Sequence, residues 1–217
     1  MNNRRIGRIG AGITGVAVAA FAISMLVELI CGISMVFVSQ LVYIFIALGY
    51  VVFTAAVVTY NRSYEKKAAG FAGMAFSAVY ATLILIVYYA GVTTVAIDKS
   101  LSPETLSIIS YAQTGSLFFN YDLLGYGIMA LSTFFVGFTV EPRSKGDRAF
   151  RLLLWIHGVF FPACLLIPML GVFNMSGDPL FGTVILEVWC LCFLPLCALG
   201  YRYFRVCGPR KDGGQTK

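Results

Sequence analysis

The chain is short of charge. Only 12% of its 217 residues are Asp, Glu, Lys or Arg, about half the share of about 25% found in water-soluble domains. With 59% hydrophobic residues and a mean hydropathy of +0.84, that shortage excludes a soluble globular fold. Histidine is scarcer still: His157 is the only one, so neither a bis-histidine haem nor a histidine-based zinc triad can be assembled from this chain. The six cysteines, Cys31, Cys164, Cys190, Cys192, Cys197 and Cys207, lie mostly in apolar runs without C-x-x-C spacing. They read as small hydrophobes, not as a disulfide framework or metal ligands. P-loop, H-E-x-x-H and G-x-S-x-G patterns are all lacking, as is a Ser, His and acid set at one depth. The expectation is no catalytic residue, no metal and no cofactor, which points away from an enzyme.

What the chain has in abundance is apolar length. A helix crossing hydrocarbon needs about 20 mostly apolar residues, and six such runs occur, at 10–33, 41–60, 69–91, 117–139, 151–173 and 181–204. The turn between the first two, around 34–40, is the least clearly marked. The fold expected is all-α, a single integral membrane domain over 1–217 with six spanning helices. The first run continues past Ile33 without a small-residue cleavage site and is read as a retained helix, not a signal peptide.

Lys and Arg test this layout independently, because they gather on cytoplasmic loops. With the amino terminus inside, fifteen of the sixteen basic residues fall on the inner side and Lys99 alone lies outside. Both termini are therefore expected in the cytoplasm. The formal charge of +6 then reflects topology and attraction to anionic lipid, not nucleic-acid binding.

The longest outer connection, 92–116, carries Ser102-Pro103-Glu104-Thr105: a capping serine, a proline at the first helical position and an acid in the first turn. A short helix on the outer surface follows, either a lid over a vestibule or a well-capped linker. Leu48-Gly49-Tyr50 is echoed by Leu124-Gly125-Tyr126, a hint of a duplicated hairpin. Pairs such as Gly12 with Gly15, Ala69 with Gly73 and Gly125 with Gly127 allow helices to approach closely. Pro162, Pro168 and Pro195 should kink the last two spans. Gly10-Ala11-Gly12-Ile13-Thr14-Gly15 fits the G-x-G-x-x-G pattern, but a nucleotide fingerprint needs a preceding buried strand, and a basic stretch stands there instead. The glycines are read as packing positions.

Four ionisable residues fall inside the spans: Glu28, Asp122, His157 and Glu187. Such groups are costly in hydrocarbon and face a bundle interior or a water cavity. At 1.5 Å per residue the three acids sit roughly 8 to 9 Å below the outer boundary. If they converge, they form an outward-facing proton or cation site, to which Asn120 and Tyr121 could add neutral donors. Otherwise each acid is satisfied separately. His157, toward the inner side, is a structural hydrogen-bonding group or part of an inner polar site. Trp155, beside Arg151, is placed like an interfacial anchor, and Trp189 like core packing.

The stretch Phe118-Phe119-Asn120-Tyr121-Asp122-Leu123-Leu124-Gly125-Tyr126-Gly127, with the six-span layout, resembles small bacterial polytopic membrane proteins of unassigned activity. The resemblance implies a bacterial inner-membrane location and no particular chemistry. The leading expectation is a protein that binds or moves a small solute, a cation or a proton-coupled substrate, through Glu28, Asp122 and Glu187. The alternative is a non-catalytic scaffold or sensor subunit. Partners admitted by the sequence are the bilayer, a small solute or cation, and a second copy or another membrane subunit. The topology makes a direct prediction. A membrane-impermeant thiol reagent applied to intact cells should label Lys99→Cys but not Asn3→Cys or Lys217→Cys in a background otherwise free of cysteine, and labelling at either terminus would contradict it.

Overall fold

The computed structural model describes residues 2–60, 63–172 and 179–206, and the described residues are almost wholly helical. The end of the fifth expected span at Phe173, together with Arg62, Cys207, Arg210, Lys211 and Lys217, lies outside them. The helices are α1 (Asn3–Cys31), α2 (Val36–Tyr60), α3 (Lys67–Ala90), the short α4 (Pro103–Ile109), α5 (Leu117–Thr139), α6 (Lys145–His157), α7 (Phe160–Met169) and α8 (Pro179–Val206). Six helical segments are long and apolar enough to cross a membrane: α1, α2, α3 with its continuations over Tyr64–Val95, α5, α6 with α7, and α8. The chain is thus an all-α, multi-pass membrane protein.

Why the elements begin and end where they do is mostly local chemistry. Asn2 caps α1 by accepting from Arg5 N, and Gly32 closes it in the left-handed conformation at φ 66°. Ser102 accepts from Thr105 N at the start of α4, with Pro103 at the first position and Glu104 in the first turn, as its sequence signature predicts. Ser116 accepts from Phe119 N to begin α5. Ser144 and Asp147 form a reciprocal capping box at α6.

Several boundaries differ from expectation: α1 begins at Asn3 and α6 at Lys145, ahead of residues 10 and 151. α2 starts at Val36, not near residue 41, and the α1–α2 turn is only a few residues long. The polar pair Ser39 and Gln40, which reads as turn, is helical and buried; Ser39 meets Ser24 Oγ at 2.8 Å, so its hydroxyl turns inward. The fifth span is interrupted between α6 and α7 at 158–159. Pro162 accounts for this: it lacks an N–H, and its ring crowds the carbonyl of Gly158 four residues back. That carbonyl bonds Phe161 N instead, at 3.1 Å.

The spanning helices form a closed ring in chain order, each packed on its sequence neighbours, with α8 returning to α1. Successive helices are antiparallel. One end of the ring brings together Asn3 and Thr59, whose side chains hydrogen-bond at 3.3 Å, Tyr60 against Tyr203 and Phe204, and Lys66 paired with Glu141 at 3.6 Å. Arg151 lies over the Trp155 ring at 5.0 Å. This is the basic end, and α4 lies at the other.

Helices α1 and α2 touch backbone to backbone. A Cβ on Gly10 would lie 2.5 Å from Phe53 N, and one on Gly49 would lie 2.9 Å from Thr14 N. Gly15 faces Cys197 and Gly12 faces open space, so Gly10, not Gly12, carries the close approach. Both Leu-Gly-Tyr segments use glycine alike: Gly49 faces α1 and Gly125 faces Leu83 and Ile84 of α3, while Tyr50 and Tyr126 are buried. It follows that Gly10→Leu should destabilise the bundle by about 1–3 kcal/mol through overpacking, whereas Gly12→Ala should be neutral. Thermal unfolding in lipid nanodiscs checks this, and equal melting of the two variants would contradict the packing.

Candidate functional site

The ring fills its interior with tyrosine. Tyr43 and Tyr50 come from α2, Tyr80 and Tyr88 from α3 and Tyr126 from α5, all buried. Their spacing follows the helix: each pair on α2 and α3 is about two turns apart and shares one inward face. Tyr43 stacks on Tyr88 with centroids 4.2 Å apart and meets Tyr126 edge-on at 5.8 Å. Tyr80 contacts both Tyr50, at 5.4 Å, and Tyr126, at 5.8 Å. From the connection after α4, Tyr111 packs on Tyr88 at 5.0 Å and on Tyr43 at 6.2 Å, closing the cluster at the α4 end. Burial holds the Tyr111 phenol above its usual ionisation range, and Asp122 acts in the same direction.

Asp122 enters this cluster from α5 and is 3% exposed. Its Oδ1 accepts a hydrogen bond from Tyr88 Oη at 2.7 Å. No basic side chain among the described residues pairs with it. The hydroxyls of Tyr43, Tyr80 and Tyr126 make no well-formed hydrogen bond among the described residues, although Tyr43 approaches Tyr111 and Tyr80 approaches Tyr126. A buried carboxyl group with a single donor, set among phenols that lack partners, departs from the rule that buried polar groups are paired.

The other acids stand apart from it. Glu28 is exposed, and its Oε2 accepts from Met35 N at 3.2 Å, so it closes the α1–α2 turn. Glu187 is half-buried on α8, with Oε1 unpaired. No cluster of three or more His, Cys, Asp or Glu able to hold a metal occurs among the described residues. Equal depth is not matched by equal burial: Asp122 is enclosed, Glu28 is exposed and Glu187 is half-buried, because depth follows from position along a helix whereas direction follows from how each helix is rotated. Asn120 is exposed and reaches back to Gly115 O at 3.5 Å, and Tyr121, 37% exposed, packs on Phe118. Both leave Asp122 on other faces of α5.

His157 belongs to a second, self-contained group. Thr133 Oγ1 donates to Ala130 O at 2.8 Å and lies 2.8 Å from His157 Nδ1. Trp189 Nε1 donates to His157 Nε2 at 2.9 Å. With the threonine proton directed to Ala130, Nδ1 carries the imidazole proton and donates to Thr133, and Nε2 accepts from Trp189. Every polar atom in this chain has a partner, which is the structural arrangement the sequence admits for His157. Trp189 combines core packing against Phe193, at 5.0 Å, with this hydrogen bond.

Comparison with protein families, curated proteins and solved structures finds no match, so the resemblance to a bacterial family gains no support and what stands is the multi-pass helical layout.

The tyrosines around Asp122 are the candidate-site residues that composition and hydropathy do not reveal. The signal available is weak: twelve tyrosines, several at two-turn spacing inside apolar spans instead of at their ends. A double-mutant cycle of Trp189→Phe with His157→Leu should give a coupling of about 0.6 to 1.7 kcal/mol, the range for interhelical hydrogen bonds in membranes. Additive effects in equilibrium unfolding would show that the pair carries no energy.

Proposed function

We propose that this membrane protein binds a proton or small cation at Asp122, reached from the α4 end past Tyr111, and couples that occupancy to binding or movement of a small solute. On this reading the basic end is cytoplasmic and the α4 end faces outward, in keeping with the distribution of Lys and Arg. The observation that carries it is the environment of Asp122: a buried carboxylate with one hydrogen bond and no positive partner among the described residues. An uncompensated charge there is costly, and a bound proton or cation removes that cost. Glu28 accepts from Met35 N at the α1–α2 turn and Glu187 is half-buried on α8; on this reading Asp122 is the loading group.

A scaffold or sensor subunit is the second reading, and the closed His157, Thr133 and Trp189 chain favours it, since fully satisfied networks fix packing. The two differ in whether Asp122 exchanges with the medium. A carbodiimide, which attacks protonated carboxyl groups in apolar surroundings, should modify Asp122 in proteoliposomes, more slowly at higher pH or with added cation, while Asp122→Asn remains folded and unmodified. Peptide mass spectrometry reads the result. No modification of Asp122 at any pH, together with an Asp122→Asn protein that cannot fold, would favour the scaffold.

A further inference from the structure

The unpaired hydroxyls are not scattered. Of the buried side-chain polar atoms without a hydrogen bond among the described residues, Tyr43 Oη, Tyr126 Oη, Tyr80 Oη and Ser77 Oγ all belong to the faces of α2, α3 and α5 that meet inside the ring. Asp122 and the Tyr88 hydroxyl stand at the α4 end of this series. Toward the basic end it continues in bonded form: Tyr50 Oη donates to Ser132 Oγ at 2.9 Å, and Ser132 Oγ donates to Gly73 O at 2.7 Å. On α5, Asp122, Tyr126 and Ser132 span ten residues, about 15 Å of helix rise.

The series ends close to a cavity. One turn beyond Gly73, Gly70 packs against Val58 and Thr139, and both of these line a pocket of about 310 Å³ at the basic end, with Thr59, Ser63, Lys66 and Lys67. Between Ser132 and Thr139 on α5 the intervening turn presents Val136, which lies against Gly73.

We infer that this column of hydroxyls is a proton route joining Asp122 to the pocket at the basic end, with water molecules bridging the unpaired Tyr43, Tyr126, Tyr80 and Ser77 oxygens. Buried polar groups of this kind are normally satisfied by ordered water, each water needing two to four polar partners, and the column supplies them in sequence. Along the hydroxyls each oxygen takes a proton from the neighbour on the Asp122 side and releases its own to the next, and Ser132 passes its proton on by turning from Gly73 O to a water on the pocket side, so one proton moves with no electron transfer. The hydroxyls then rotate back before another can follow. Val136 is the apolar barrier that the proton must pass before Thr139 and the pocket, and it keeps the route from being an open pore. The inference rests on the reading of Asp122 as the loading group, and it assigns the tyrosines a transfer role beyond enclosing it.

The test uses the full chain in proteoliposomes, with an internal pH-sensitive dye and a potassium diffusion potential. Tyr80→Phe, Tyr126→Phe and Ser77→Ala each remove one oxygen and preserve most of the volume. Proton flux should fall at least tenfold in Tyr80→Phe and Tyr126→Phe, while carbodiimide still modifies Asp122 at the wild-type rate. Flux unchanged in the triple variant, or no flux in the wild type above that of protein-free liposomes, overturns the route and leaves the loading of Asp122 standing. Flux lost in the tyrosine variants but kept in Asp122→Asn overturns the loading group instead and leaves a hydroxyl path that starts elsewhere.

Discussion

In hydrocarbon a polar side chain has nowhere to go but inward, because the surrounding lipid offers no hydrogen bond and a low dielectric. That constraint organises this protein. Six apolar helices satisfy their own backbones and close into a ring, and among the described residues the ring encloses a set of hydroxyls, the Asp122 carboxyl group, the Gln40 amide and the His157 imidazole, turned away from lipid. Close contact between α1 and α2, through Gly10 and Gly49, is one of the contacts that keeps the ring narrow.

The interior contains two kinds of polar group with different consequences. Around His157 donors and acceptors are matched one to one, from Trp189 through the imidazole and Thr133 to a backbone carbonyl. Such a network has a single low-energy arrangement and ties α5, α6 and α8 together. Around Asp122 the matching fails: there is one donor for the carboxyl group and there are several phenols with no partner. Unmatched groups in a dry interior are unfavourable unless something exchangeable completes them, which is why the functional reading falls on Asp122 and not on His157.

Much of the fold was legible because hydrophobic length is a strong signal. The span expected at 117–139 coincides with α5, and the proline at 162 announces the break four residues before it. Boundaries were misread where a polar residue is buried instead of exposed: Ser39 and Gln40 look like a turn and are helix interior. The candidate site was legible only in part. Depth along a span can be counted, and Asp122 was found that way, but the rotation of each helix about its axis depends on packing that no single span contains. So Glu28, Glu187, Asn120 and Tyr121 share a depth or a neighbourhood with Asp122 without sharing its burial. Tyr43, Tyr88 and Tyr126 were overlooked because a tyrosine in an apolar run counts toward hydropathy while hiding the hydroxyl that matters.

The account stands on Asp122 being a buried carboxyl group whose occupancy changes with the medium. Infrared difference spectroscopy of the lipid-reconstituted protein between acid and alkaline conditions tests this most directly, with Asp122→Asn as the assignment. A protonated-carboxyl band that appears in acid, disappears in alkali and is missing from the variant is the predicted result. A spectrum in which no carboxyl band depends on Asp122 at any pH would contradict it.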